Sequence, residues 1–201
     1  MNRFALLPLV LALGACVGSA TPPRNVDNAC AIIEERPYYL SAMQATEANW
    51  GVPVAVQMAT IYHESSFVSN ARTPRRYALG VIPAGRQSSA FGYSQALDGT
   101  WDEYRDDTGR RFARRTDISD ATDFMGWYMN RSRERNGIAL TDARNQYLAY
   151  HEGRGGYKRK TYQSKPSLIK VARKVEQQAK DYGWQLKQCQ KELESNRSWF
   201  F

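Results

Sequence analysis

Histidine is nearly absent from this chain. There are 2, His63 and His151, and neither an H-x-x-x-H nor a C-x-x-C pair occurs, so the usual metal-ligand spacings are missing and no metal is expected. G-x-S-x-G and G-x-x-x-x-G-K-[ST] are missing too, which counts against a serine hydrolase and a phosphate-cradling nucleotide enzyme. Only one long apolar run exists, at residues 4–16. That excludes a multi-span membrane protein. No fixed period runs through the chain, which excludes collagen, coiled coils and repeat arrays. No alternating run is long enough to demand a sheet. The expected fold class is therefore mainly α.

What is present fits one domain with short appendages in 201 residues. With 42 % hydrophobic residues and 5 Trp, 12 Tyr and 7 Phe, the chain has the means for a packed core and a ring-lined groove, unlike a disordered polymer. The start, Met1-Asn2-Arg3 followed by the apolar run, has the charge and length of a signal peptide. Its end, Leu13-Gly14-Ala15-Cys16, resembles the bacterial lipobox, in which the peptide is cut before a lipidated Cys. Lipid chains on Cys16 would give stable membrane attachment. The other reading is an ordinary secretory peptide with a Cys at its end. Val17, which is not Asp, points by resemblance to an outer membrane, with the chain facing the periplasm.

The formal net charge is +8. In an exported chain this excess meets cell-wall carboxylates or lipid headgroups, or simply solvates the surface. No nucleic-acid motif accompanies it, so nucleic acid is not an expected partner. Cys30 and Cys189 remain once Cys16 is assigned. Outside the cytoplasm such a pair reads as a disulfide, with two free thiols as the alternative.

Residues 17–29 are small and polar and read, with Cys16, as a tether. Helical patterns follow over 37–49 and from about Pro53 to Glu64, the second apolar enough to be buried. Residues 69–91 read as a long irregular loop carrying Arg72, Arg75, Arg76 and Arg86, either a functional rim or a disordered insertion. Helix signals return over 94–108, 119–135 and 141–151, with Ser119 and Thr141 as N-caps. Leu168, Val171, Val175, Ala179, Tyr182, Leu186, Cys189 and Leu193 trace a last amphipathic helix. The tail ends in the apolar Trp199-Phe200-Phe201, a feature that suits packing on the body or binding a partner in the envelope.

Glu64 stands at the end of the apolar segment Met58-Ala59-Thr60-Ile61-Tyr62. A carboxyl there is poorly solvated, which raises its pKa and keeps a proton available near neutrality. A general acid for glycosidic cleavage has that requirement. His63-Glu64-Ser65-Ser66-Phe67 is followed by Phe91-Gly92-Tyr93-Ser94-Gln95-Ala96 and then by Tyr147-Leu148-Ala149-Tyr150-His151-Glu152-Gly153. This triplet resembles the lytic transglycosylases of the goose-type lysozyme superfamily (SLT domain, similar to glycoside hydrolase family 23). That family has a Glu-Ser pair ending a helix, then Gly-x-x-Gln, then Ala-Tyr-Asn-x-Gly. Trp50-Gly51-Val52-Pro53 before the helix and Asp123-Phe124-Met125-Gly126-Trp127-Tyr128 after the second motif fit as well.

The expected division of the chain is a signal peptide over 1–15, the tether over 16–29, the domain over 30–190 and a tail over 191–201. The resemblance covers roughly residues 36–190 and implies a lysozyme-like helical domain with a glycan-binding groove. It implies cleavage of the MurNAc-β-1,4-GlcNAc bond of peptidoglycan without water, leaving a 1,6-anhydro-MurNAc end, with no cofactor. Glu64 would be the acid/base. Ser65, Gly92, Tyr93, Ser94, Gln95, Tyr150, His151 and Glu152 would surround the substrate. Tyr93 reads equally as a buried aromatic, and Tyr150 also fits a core tyrosine. His151 replaces the family Asn and adds a titratable group. Asp98, Asp102, Glu103, Asp123 and Glu152 stand as candidates for a second carboxylate, or as surface and capping charges. The alternatives to a transglycosylase are a hydrolytic muramidase and a silent peptidoglycan-binding scaffold.

Overall fold

The computed structural model describes residues 20–79 and 81–197. The signal run, Cys16 and the Trp199-Phe200-Phe201 tail lie outside the described residues. Among the described residues seven α-helices carry the fold: α1 (Ala29–Glu35), α2 (Pro37–Trp50), α3 (Val54–Ser65), α4 (Asp98–Thr108), α5 (Ile118–Asn136), α6 (Ala143–Lys158) and α7 (Pro166–Arg197). A 3-10 turn (Thr161–Ser164) joins α6 to α7, and a hairpin of β1 (Arg75–Ala78) and β2 (Ile82–Arg86) stands between α3 and α4. The architecture is mainly helical and lysozyme-like, as the sequence leads one to expect.

Local chemistry sets the helix ends. Asn28 accepts the Ala31 N–H at 3.1 Å and starts α1, which the sequence pattern did not reveal. Pro37 occupies the first turn of α2, where its missing N–H is not needed. The caps of α5 and α6 are Asp117 and Asp142, not Ser119 and Thr141. A carboxylate accepts charge-assisted bonds from the first-turn N–H groups: Asp117 takes those of Ser119 and Asp120 at 2.9 and 3.2 Å, and Asp142 takes that of Asn145 at 3.0 Å. Residues 94–97 are not helical either. Gln95 has φ +48, and α4 begins only at Asp98. Within 69–91 the antiparallel hairpin replaces the expected irregular loop.

α3 is buried along Val54, Val56, Gln57, Met58, Ala59, Thr60, Ile61 and Ser65. It packs against α7, while α2 packs against α5 and α6 bridges α5 and α7. The buried Gln57 donates its amide N–H groups to the Met43 and Val52 carbonyls at 2.9 and 2.8 Å, while its Oε1 has no partner among the described residues. Trp127, Tyr39, Tyr93, Tyr104, Phe67 and Phe124 fill the core. The segment before α1 lies on the body: Pro23 is buried, Tyr62 donates to Asp27, and the Ala29 N–H donates to Gln185 at 2.7 Å. Cys30 and Cys189 form a disulfide across 159 residues, joining α1 to α7. In the chain-entropy picture a loop of that length stabilises by up to about 5 kcal/mol. Among the described residues no helix is long and apolar enough to cross a membrane.

Candidate active site

Three segments meet around the C-terminal end of α3. Glu64 stands in its last turn, and the chain then turns sharply through Ser66 (φ +49) and Phe67 (φ +61). Left-handed backbone at two successive residues with side chains is strained and needs anchoring. Phe67 supplies the anchor, fully buried and stacked on Tyr39 at 6.1 Å. Ser65 is buried, but its hydroxyl bonds back to the Ile61 carbonyl at 3.3 Å.

Glu64 is half-buried. Burial pushes its pKa up from 4.5 to about 7, and a hydrogen bond from the Tyr147 hydroxyl acts against the rise by favouring the anion. No charged side chain contributes to the shift among the described residues. The acid is therefore poised by desolvation, and near neutrality it exists in both forms.

The second segment is built on a contact that only glycine permits. Gly92 has φ +80, and a Cβ there would lie 2.1 Å from the Arg115 carbonyl oxygen. Its N–H bonds to the Ala71 carbonyl at 3.0 Å, and the Tyr93 N–H bonds to Arg115 at 3.2 Å. Gln95 then locks the loop from within, donating to the carbonyls of Ala71 and Gly92 at 3.0 and 2.8 Å. Tyr93 is a core residue and does not face a sugar: it is fully buried, its hydroxyl 2.8 Å from that of Tyr39. Ser94 is also fully buried, and its Oγ has no partner among the described residues. Its carbonyl accepts the Tyr150 hydroxyl at 2.6 Å, which ties this loop to α6.

α6 supplies the third segment. Tyr147 and Tyr150 stand one turn apart. The carboxylate of Glu64 opposes ionisation of both, so both are near it. Tyr150 also lines a pocket of about 220 Å³ with Gln95, Leu97, Phe124, Tyr128 and His151. His151 is exposed and its Nδ1 is 3.3 Å from Glu152. Gly153, at φ +74 and ψ 153, kinks α6 directly after these residues. The helix resumes and runs to Lys158, past the expected end at His151. A cleft of about 510 Å³ lies at the other end of α3 around Pro53 and Val56 and is remote from this chemistry.

Glu152 also lines the pocket beside Tyr150, with its carboxylate held by partners within the protein. Its side chain is 3 % exposed and accepts from Lys165 at 2.7 Å and Thr161 at 2.5 Å. Although burial opposes the charge, those donors pull its pKa down to about 2. The other candidates for a second carboxylate are committed too. Asp98 pairs with Arg115, Asp102 with Arg105, and Glu103 with Arg154. Asp123 is buried and holds Trp50, Tyr104 and Arg110 at 2.9, 2.7 and 3.2 Å. Among the described residues no group of His, Cys, Asp or Glu is placed to hold a metal.

The sequence motifs thus converge on one acid, with roles redistributed. Tyr147, not singled out from sequence, is the hydroxyl at Glu64. Its position three residues before Tyr150 on the same helix was the available signal. The chain matches a family model described as the transglycosylase SLT domain over residues 4–189. No curated protein matches it.

Proposed function

The chain belongs to the transglycosylase SLT-domain family, and on that premise we propose that it cleaves the MurNAc-β-1,4-GlcNAc bond of peptidoglycan with Glu64 as its single acid/base. The observation that carries this reading is the state of Glu64: half-buried, touched by the Tyr147 hydroxyl, and held at about pKa 7 without a charged neighbour.

In the first step protonated Glu64 gives its proton to the glycosidic oxygen as the C1–O bond breaks. The positive charge that develops at C1 is met by the substrate's own acetamido oxygen. The Glu64 carboxylate, now favoured by Tyr147, then takes the proton of the MurNAc C6 hydroxyl as O6 bonds to C1. The acid is restored and the product carries a 1,6-anhydro ring, with no water consumed. Hydrolysis by two carboxylates needs a second group free to act. The pairing of Asp98, Asp102, Glu103, Asp123 and Glu152 with cations or hydrogen-bond donors supports the one-acid route. Tyr150 and Gln95 shape the wall of the pocket beside the acid, and His151 presents an exposed ring there.

We place the enzyme on the periplasmic side of an outer membrane, lipidated at Cys16. Leu13-Gly14-Ala15-Cys16 supports that location.

The test is mass spectrometry of muropeptides released from purified sacculi by the full chain, with Glu64→Gln alongside. Anhydro fragments, one water lighter than hydrolysis products and absent with the variant, are the expected result. Reducing-end fragments would assign a muramidase. Binding to sacculi without any release would assign a scaffold.

A further inference from the structure

A further cleft, of about 300 Å³, opens where α5 and α6 end and the 3-10 turn begins. Arg135, Asn136, Tyr157, Lys158, Lys160 and Tyr162 line it. Three of these are cations and none is acidic. Arg135, Lys158 and Lys160 form no ion pair among the described residues. Arg131 and Arg154 on the same helices are paired, whereas Arg133 and Arg144 have no ion pair among the described residues. The cleft therefore concentrates positive charge that the protein itself leaves uncompensated.

Complementarity to helix dipoles explains part of this. Arg135 and Lys158 occupy the last turns of α5 and α6, where cations are favoured. It does not explain Lys160, which lies beyond α6 with φ +58, a conformation that residues with side chains seldom adopt. Nor does it explain the cleft between the cations. One wall is a stacked pair, Tyr157 and Tyr162, with centroids 5.4 Å apart. The Tyr157 hydroxyl donates to Asn145 at 3.0 Å, which fixes the pair. Asn136 donates its amide to the Arg154 carbonyl at 3.2 Å, leaving Oδ1 as an acceptor. The cleft thus offers charge for carboxylates, aromatic surface for an apolar stem and an acceptor for an amide N–H. Its volume displaces roughly ten waters, enough for a unit of dipeptide size.

We propose that this cleft is an accessory site for the carboxylate-bearing peptide carried by wall glycan, away from the acid that cuts the strand. The inference rests on the peptidoglycan reading above and adds a hold on the peptide arm. An inorganic anion would use the cations but not the tyrosine wall or the Asn136 acceptor.

The test uses the full chain with Glu64→Gln, so that the probe is not consumed, titrated calorimetrically with a soluble GlcNAc-MurNAc tetrapeptide. Lys158→Gln with Lys160→Asn is expected to weaken binding about tenfold or more, since each cation gives a charge-assisted bond. Asn tolerates the left-handed position, and both sites are exposed, so an unchanged melting temperature is expected. Lys158→Arg should retain affinity, and the peptide-free disaccharide should bind parent and variant alike. Equal tetrapeptide affinity in parent and double variant overturns the proposal. So does displacement of the tetrapeptide by inorganic phosphate at similar concentration, which would make the cleft a general anion site. Sacculus cleavage by the chain with Glu64 intact is measured separately, so failure of the accessory site and failure of the catalytic reading remain distinguishable.

Discussion

Glu64→Gln is expected to remove glycan cleavage and, at the same time, to stabilise the fold above about pH 5. In the unfolded chain a glutamate releases its proton near 4.5, whereas folded Glu64 holds it to about 7. Between those values the folded state binds more protons than the unfolded state, so stability falls as pH rises and the loss is complete above the folded pKa. Each tenfold difference in proton affinity corresponds to about 1.4 kcal/mol, which puts the penalty near neutrality and above at about 3 kcal/mol. Glutamine keeps the shape and the neutral character of the protonated acid. At mildly alkaline pH the variant should therefore melt roughly 6–12 °C higher than the parent, by the usual scaling for a domain of this size. At about pH 4 both states of the parent are protonated and the difference should vanish. Urea unfolding at the two pH values measures it directly, through the change in midpoint at constant slope. Equal midpoints for parent and variant at both pH values would refute the argument that the carboxyl occupies a poorly solvated place, whatever the activity assay shows.

Tyr147→Phe removes the hydroxyl that stabilises the Glu64 anion. The pKa of Glu64 should rise further and the alkaline fall of the pH–rate profile should move to higher pH; an unmoved profile would mean that Tyr147 only packs. Gly92→Ala drives a Cβ into the Arg115 carbonyl at a positive φ. It should destabilise the domain by about 2 kcal/mol or more in denaturant titration and abolish cleavage, because the loop must leave its seat. Glu152 has a depressed folded pKa, so its contribution is present above about pH 4.5 and is lost as pH falls toward 2. Glu152→Gln should lower stability at neutral pH, and the gap to the parent should close on acidification; a gap that persists at low pH would refute its role as an ionised brace.

The part of this molecule legible in its sequence is the part governed by neighbours along the chain. The apolar run into Glu64 announces a buried helix ending on an acid, and the structure has α3 stop at Ser65 with Glu64 half-buried. The period of Leu168, Val175, Ala179 and Tyr182 likewise becomes the inner face of α7. The hairpin at Arg75–Arg86 escaped notice for a physical reason. Its strands are short, include Pro83 and Gly85, and pair only with each other, with a register shift between Arg75 and Tyr77, so no alternation survives to be read. The caps escaped because Ser119 and Thr141 stand beside Asp117 and Asp142, and short-range pattern does not decide which oxygen reaches the free N–H groups. The Gly92 contact with Arg115 joins segments far apart in sequence. Nothing local to Gly92 states how near that carbonyl comes.

The same distinction explains why the tyrosines of α6 resisted assignment. Tyr147 and Tyr150 have equivalent helical spacing and are both consistent with core packing, and both do pack. What separates them is the direction of a hydroxyl: one serves the Glu64 carboxyl and the other the Ser94 carbonyl. The second bond depends on residues 94–97 not being helical, since the left-handed Gln95 and the delayed start of α4 shape the loop that carries the Ser94 carbonyl. The irregular backbone that a helix prediction erased at this point is therefore what lets α6 be fastened beside the acid. Asp98 and Glu103 on α4, Asp123 on α5 and Glu152 on α6 are bound to arginine, lysine or hydrogen-bond donors. Among the carboxylates weighed for the site, Glu64 alone is left with an environment set by burial and one hydroxyl, which is why the proposed reaction takes its second group from the substrate.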